Sequence, residues 1–345
     1  MPVPGTLRRA GLAAALTIAA AAVDPGTASA GPDRARESAL LLETIIPLAG
    51  VGGRIDHMAV DLPHGRLFVA ELGNNTVDVI DVAGRTRVGR IAGLKEPQGV
   101  GYLPARDLVA VANAGDGSVR FFHGADLTPA GTVPLGDDAD NVRVDPETGE
   151  VLVGYGAGAI AIIDPERPAK AADLPLAGHP EGFRYDPASG RVYVNVPDKR
   201  QVAVLDRKTG RDVGNWTFPD ARSNFPMALD EAGGRVAIGF RSPARLVEVD
   251  AASGAMAGSA AICGDTDDVF FDAKRGCYYV SCGEGAVDVV DRTGNGLVRR
   301  DRIKTASGAR TSLFVPELDR LFVAARAGGP GADAAILVFR PEAIP

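Results

Sequence analysis

The strongest constraint on this chain is a repeat. An aspartate, a glycine-containing turn and a short β-rich run recur as Asp61-LPHGRLFVA, Asp145-PETGEVLVG, Asp186-PASGRVYVN, Asp230-EAGGRVAIG and Asp272-AKRGCYYVS. Two further copies lack the aspartate, Leu103-PARDLVAVA and Val315-PELDRLFVA. The anchors at 61, 103, 145, 186, 230, 272 and 315 are separated by 42, 42, 41, 44, 42 and 43 residues. So regular a period implies an architecture in which each unit buries its apolar faces against its neighbours.

Each copy divides into four strand-like pieces. In the clearest one they are Phe183 to Tyr185, Arg191 to Val196, Gln201 to Asp206 and Arg211 to Phe218. Alternation and β-branched residues mark the strands, and Gly, Pro, Asn and Asp mark the turns. The third piece commonly ends in aspartate, as at Asp81, Asp164, Asp250 and Asp291. Four strands in a period in the low forties make one propeller blade. The seventh copy runs out after its third strand, Ala335 to Phe339, whereas Leu40 to Leu48 (LLLETIIPL) reads as a fourth strand without a blade. Pairing these two closes the ring and leaves no open sheet edge. The expected fold is therefore all-β: a seven-bladed β-propeller with four-stranded blades, closed by the N-terminal strand, in a single domain over residues 39–345.

Val192-Tyr-Val-Asn195 followed by VAVLD, Leu67-Phe-Val-Ala70 followed by VDVID, and Val109-Ala-Val-Ala-Asn113 followed by SVRFF resemble the YVTN-type β-propeller repeat proteins of exported bacterial chains. The resemblance spans roughly residues 40–340 and implies the propeller fold. It implies little about activity, because that family and its neighbours host binding proteins, electron-transfer subunits and enzymes. The Trp-Asp dipeptide of WD repeats is absent. A single tryptophan, Trp216, cannot supply the docking pattern of quinone-dependent dehydrogenase propellers.

The first thirty residues read as a signal peptide. Arg8 and Arg9 form a positive start, Gly11 to Val23 a short apolar run, and Ala28-Ser29-Ala30 a cleavage signal. Ala10-Gly11 fit a twin-arginine signal poorly, so ordinary secretion with cleavage after Ala30 is expected, placing the protein in the periplasm or outside the cell. Residues 31–38 read as a polar linker. The apolar run is too short and alanine-rich for a membrane span, and none is expected elsewhere. The net charge of −7 supplies no basic field for a nucleic-acid backbone or an anionic membrane, so neither is an expected partner. A monomer is expected.

The loops leading into the innermost strand of each blade share one face, the top, around the channel mouth. Residues five and four before each anchor should rim it: Asp56 and His57, Gln98 and Gly99, Asp140 and Asn141, Glu181 and Gly182, Phe225 and Pro226, Asp267 and Asp268, Arg310 and Thr311. A ligand- or partner-binding rim of Asp56, His57, Gln98, Asp140, Asn141, His179, Glu181, Asp267, Asp268 and Arg310 follows. Its carboxylates suggest a divalent metal held by His57, Asp140, Glu181 and Asp268, or a general acid–base pair. Aspartates at strand ends also commonly just cap turns, which is the competing reading. His57 and His179 share the top face but belong to blades one and four, whereas His64 and His123 read as solvated turn residues. Arg222, Arg241, Arg310 and Arg326, facing Asp137, Asp138 and Asp140, would polarise the mouth, or else are scattered solubilising charge.

Cys263, Cys277 and Cys282 lack zinc-type spacing. A Cys263–Cys282 disulfide with Cys277 free is expected from their places in the repeat and from export, with three buried thiols as the alternative. No G-x-S-x-G, H-E-x-x-H, phosphate-binding glycine loop or calcium-loop spacing occurs. Two functional classes follow. One is an extracytoplasmic binding protein presenting its site, for a small molecule or a protein, at the top-face mouth, with no cofactor evident. The other is a metal-dependent propeller enzyme of the lactonase, lyase or hydrolase kind. An accessory subunit of a periplasmic redox enzyme is a third reading, although no haem-attachment or quinone motif is present.

Overall fold

Continuous apolar runs such as Leu67–Ala70 and Val109–Ala112 exclude a half-exposed sheet and require strands covered on both faces. The computed structural model, which describes Met1, residues 38–328 and residues 333–342, shows how they are covered. Apart from Met1 and Ser38, the predicted signal peptide and linker lie outside the described residues. From Ser38 onward, seven antiparallel four-stranded sheets form the blades of an all-β propeller. The second and third strands of each blade are sandwiched between neighbouring sheets, so Leu67, Phe68, Val69 and Ala70 are all fully buried. The fourth strands face outward; Thr86–Ile91 is exposed along most of its length.

The seventh blade is shared by both ends of the chain. Leu40–Leu48 is its outermost strand and pairs antiparallel with Ala334–Pro341, from Leu40 opposite Pro341 to Leu48 opposite Ala334. Ile46 and Leu48 pack with Ile55, Leu67, Phe322 and Ile336, joining the termini to blade one in one apolar cluster. Burying this cluster is what holds the ring shut.

The recurring aspartates build turns on the bottom face. Asp145 accepts the Glu147 backbone N–H at 2.9 Å, Asp186 that of Ala188 at 3.1 Å, Asp230 that of Gly233 at 2.9 Å and Asp272 that of Lys274 at 3.0 Å. The aspartates closing third strands do the same, as Asp164 does with Glu166 N–H at 2.8 Å and Asp206 with Thr209 N–H at 2.7 Å. These are side-chain-closed turns, favoured by a short carboxylate that reaches donors two or three residues on.

The innermost strands are Met58–Asp61, Pro97–Leu103, Ala139–Val144, Phe183–Asp186, Arg222–Asp230, Thr266–Asp272 and Ser312–Val315. They converge around the channel, and at their top ends the backbones nearly touch. A Cβ on Gly99 would lie 2.0 Å from the Asp140 carbonyl oxygen, and one on Gly182 would lie 2.5 Å from that of Phe225. Glycine at these two positions is what permits that approach.

Candidate functional site: the channel and its mouth

The repeat register stacks the channel into layers. Of the residues five before each anchor, Gln98, Asp140, Glu181, Phe225, Asp267 and Arg310 line a mouth cavity of about 440 Å³, together with Arg54, Asp138, His179 and Arg241. Residues four before the anchor, His57, Asn141, Gly182, Pro226 and Asp268, line a constriction beneath it. Residues two before the anchor, Ala59, Gly101, Arg143, Arg184, Phe270 and Leu313, line a lower chamber of about 380 Å³. The two lower layers differ by two residues because successive side chains of a strand point to opposite faces.

Of the residues named for the binding rim, all but Asp56 fall in the mouth or the constriction, whereas Gly99 and Thr311 line neither. The Asp56 carboxylate turns into the protein, is 1% exposed, and pairs with Arg54 Nη2 at 2.6 Å. His57 stands between acids: its Nδ1 is 3.6 Å from Asp268 Oδ2 and its Nε2 is 3.7 Å from Asp56 Oδ1. Burial works against a charged imidazole here, but Asp268, Asp56 and Asp140 outweigh it and push His57 up to about 10. Asp140 is pushed up to about 6, first by burial and then by the charge of Asp56, against the pull of His57, His179 and Arg54. Glu181 is pushed up to about 8 by burial and by the neighbouring Asp140 and Asp267. Burial also raises Asp267 to about 6, opposed by Arg310 and Arg241. Asp140 Oδ1 is buried without any hydrogen-bond partner.

The arginines do not oppose blade three across the mouth as a free basic arc. Arg241 pairs with Asp267 and lies 3.3 Å from Asp265, while Arg310 lies 2.9 Å from Asp267 and 3.2 Å from Asp265. This side is thus neutralised by the two aspartates of blade six's lead-in, which pair with arginines of the blades on either side. Arg241 also stacks on Phe225, its guanidinium carbon 3.6 Å from the ring centre. Arg222, Arg326 and Asp137 are not among the residues lining the mouth. His179 Nδ1 is 2.7 Å from the Gly156 carbonyl oxygen and 3.8 Å from Asp138. It lines the mouth, while His57 lies in the constriction below.

As a metal cage the four proposed ligands are spread out. Among the described residues, three donor atoms meet within 4.8 Å in one group only, Asp61, His64 and Asp107, and this excludes any three of His57, Asp140, Glu181 and Asp268. The Asp61 group lies at the bottom turns and contains its own cation: Arg66 Nε donates to Asp61 at 2.8 Å, and its Nη2 is 3.5 Å from Asp107. His64 Nδ1 sits 2.9 Å from Asp61. Cys263 and Cys282 are joined, with Cα atoms 5.8 Å apart, just beneath the lead-in loop of blade six, and Cys277 is free and buried. Burial pushes the Cys277 thiol up to about 12, so it is an inert core group.

Three charged channel residues escaped the sequence reading: Arg54, Arg143 and Arg184. The last two were legible in the repeat. The position two before the anchor reads Ala59, Gly101, Arg143, Arg184, Ala228, Phe270 and Leu313, so arginine departs from a small or apolar norm in two adjacent blades.

No protein-family model matches the chain, and no curated protein matches it in sequence. Solved structures do match. A chain of the Kuenenia stuttgartiensis hydrazine synthase is 16% identical with a TM-score of 0.72, covering 84% of this chain and 96% of that one. A chain of the mitotic checkpoint complex crystal structure is 13% identical with a TM-score of 0.76, covering 94% of this chain and 99% of that one. At such identities the likeness shows the seven-bladed propeller fold alone. The YVTN-type resemblance rests on the repeat residues. Among the described residues no helix is long and apolar enough to cross a membrane.

Proposed function

We propose that this chain is an exported, YVTN-type propeller that binds a small polar ligand at its top-face mouth. The observation that carries the reading is Asp140, whose Oδ1 is buried beside the mouth cavity with nothing to accept from. A buried acceptor without a donor is costly, and a ligand N–H or O–H placed there relieves it. Glu181, pushed up to about 8, stays protonated at neutral pH and donates as well as accepts. Arg241 and Arg310 are already ion-paired with Asp265 and Asp267, so the open acceptor capacity lies on the blade three and four side, while Arg54 Nε and Arg310 Nε are donors left without a hydrogen-bond partner. That chemistry suits an amine or a polyol. A cavity of about 440 Å³ lies within the usual range of small-ligand sites, roughly 300–1,000 Å³.

The test is thermal shift of the purified protein against amines and sugars, repeated with D140N and E181Q. A ligand that stabilises the parent protein but not D140N supports the reading. A panel without any stabilising member, or one indifferent to both substitutions, overturns it. Export is tested separately, by finding the processed chain outside the cytoplasm of the expressing cell. The metal-dependent enzyme has the same carboxylates in its favour but no three donors gathered. Metal analysis together with an EDTA-dependent change in melting temperature would reinstate it.

A further inference from the structure

Below the constriction the channel changes character. Arg143 and Arg184 enter the lower chamber from the innermost strands of adjacent blades, where they are mostly buried but keep some surface on this channel. Among the described residues neither has a carboxylate within ion-pair distance, in contrast to Arg54, Arg241 and Arg310 in the mouth above. Arg143 spends three N–H groups on protein: Nε on the Phe183 carbonyl at 3.2 Å, Nη1 on that of Val142 at 2.7 Å and Nη2 on Asn141 Oδ1 at 3.2 Å. Arg184 spends one, from Nη1 to the Phe183 carbonyl at 2.9 Å. A guanidinium carries five N–H donors, so both retain unused capacity.

The carboxylate whose charge acts on both is Asp268. It is committed elsewhere, accepting the Ser312 backbone N–H at 2.8 Å and facing His57 Nδ1 at 3.6 Å. With His57 held protonated, Asp268 is already matched by one cation; Asp140 in the layer above also acts on Arg143, but neither guanidinium group has a carboxylate partner in direct contact among the described residues. Burial lowers both arginines, and Arg143 lowers Arg184 further by like charge. Two desolvated cations side by side are unfavourable unless something anionic joins them. The rest of the chamber wall is largely apolar, including Ala59, Phe270 and Leu313.

We propose that the lower chamber is an anion site distinct from the mouth, in which Arg143 and Arg184 hold the carboxylate of a small organic acid and its apolar tail lies on Ala59, Phe270 and Leu313. Guanidinium is the side chain best matched to a planar carboxylate, and charge-assisted bonds in a confined space are the stronger kind. The chamber of about 380 Å³ accommodates such a molecule and excludes a polymer.

The experiment is calorimetric titration of the purified protein with hexanoate, hexanamide and chloride, followed by R184M and R143M. Hexanoate should bind at a single site, the neutral amide should not, and chloride should bind more weakly than hexanoate. Each substitution should weaken hexanoate by about tenfold or more, as expected for loss of a charged hydrogen-bonding partner. R184M should melt no lower than the parent protein, because it removes a desolvated charge at the loss of a single hydrogen bond. Failure of the parent protein to bind hexanoate, or binding unchanged in both variants, overturns the proposal. Chloride binding as tightly as hexanoate overturns the assignment of a tailed carboxylate.

Discussion

The acids at the two ends of the propeller behave oppositely. On the bottom face, Asp164, Asp206 and Asp250 are held below the ordinary carboxylate range by donors within their own turns, led by Glu166 N–H, the Thr209 hydroxyl and the Ser253 hydroxyl. Asp319 is held well below it, chiefly by hydrogen bonds from Arg275 and also by Lys274. In the mouth, burial pushes Asp140 and Asp267 up to about 6 and Glu181 up to about 8. The residue types are the same, and what differs is the supply of donors. A tight turn brings backbone N–H groups to a carboxylate automatically. The strand starts of the mouth bring no backbone N–H to Asp140, Glu181 or Asp267, so Asp140 and Glu181 are stabilised neutral or by a ligand and Asp267 relies on Arg241 and Arg310.

The comparison breaks most visibly at Asp272. This bottom-face carboxylate accepts from Lys274 N–H at 3.0 Å, Arg275 Nη1 at 2.8 Å and the Tyr279 hydroxyl at 2.6 Å. D272A leaves a buried arginine and a buried tyrosine each short of a partner, and should cost about 3 kcal/mol or more. D140N removes a charge that the mouth never satisfied, and should leave stability unchanged or raise it by about 1 kcal/mol. Urea unfolding of both variants decides. Equal destabilisation would mean that Asp140 is a structural cap after all.

Next in size is the response to pH. The folded chain holds Glu181's proton up to about 8, whereas the unfolded chain releases it near 4.5. Stability therefore falls as pH rises between those values, and Asp140 and Asp267 add to the fall between 3.8 and about 6. His57 acts in the same direction at higher pH. Its charge contributes fully below 6.5 and is lost as pH passes about 10. Melting temperature should accordingly decline from mildly acid to alkaline pH, and E181Q should flatten the decline between pH 4.5 and 8 without abolishing the part due to His57. A parent protein whose stability rises across this window would sink the mouth assignment.

Blade number, strand order and ring closure were all legible in the sequence, because the period fixes the blade and the incomplete seventh copy demands a partner from the N-terminus. The place of the mouth was legible too, since counting back from the anchors uses only the two-residue period of a strand. The pairing of its charges was not. Arg241 and Arg310 turn to Asp265 and Asp267 in the neighbouring loop, and loop geometry is not encoded in strand periodicity. Asp56 looked like a rim acid and is a buried partner of Arg54, because the chain bends at the lead-in to blade one before its strand begins. Arg143 and Arg184 are hidden for another reason: they sit within the regular strand, outside the lead-in loops, as outliers visible only when the seven copies are aligned.

The smallest expected effect sharpens the comparison from the other end. Asp206 ends a third strand, accepting Thr209 N–H and its hydroxyl, both at 2.7 Å. Its proton affinity is depressed below 3.8, so its contribution is present above that value and is lost as pH falls below it. Asparagine closes the same kind of turn, so D206N should be nearly silent at neutral pH. In acid it should lose less stability than the parent protein, because it has no carboxylate to protonate. The alkaline limb should be untouched, since Asp206 lies at the end of the blade opposite the mouth. Melting curves of D206N and E181Q over the full pH range should then show each substitution flattening one limb only. If D206N also altered the alkaline limb, the two ends would titrate as one network, and the division of labour between turn acids and channel acids would fail.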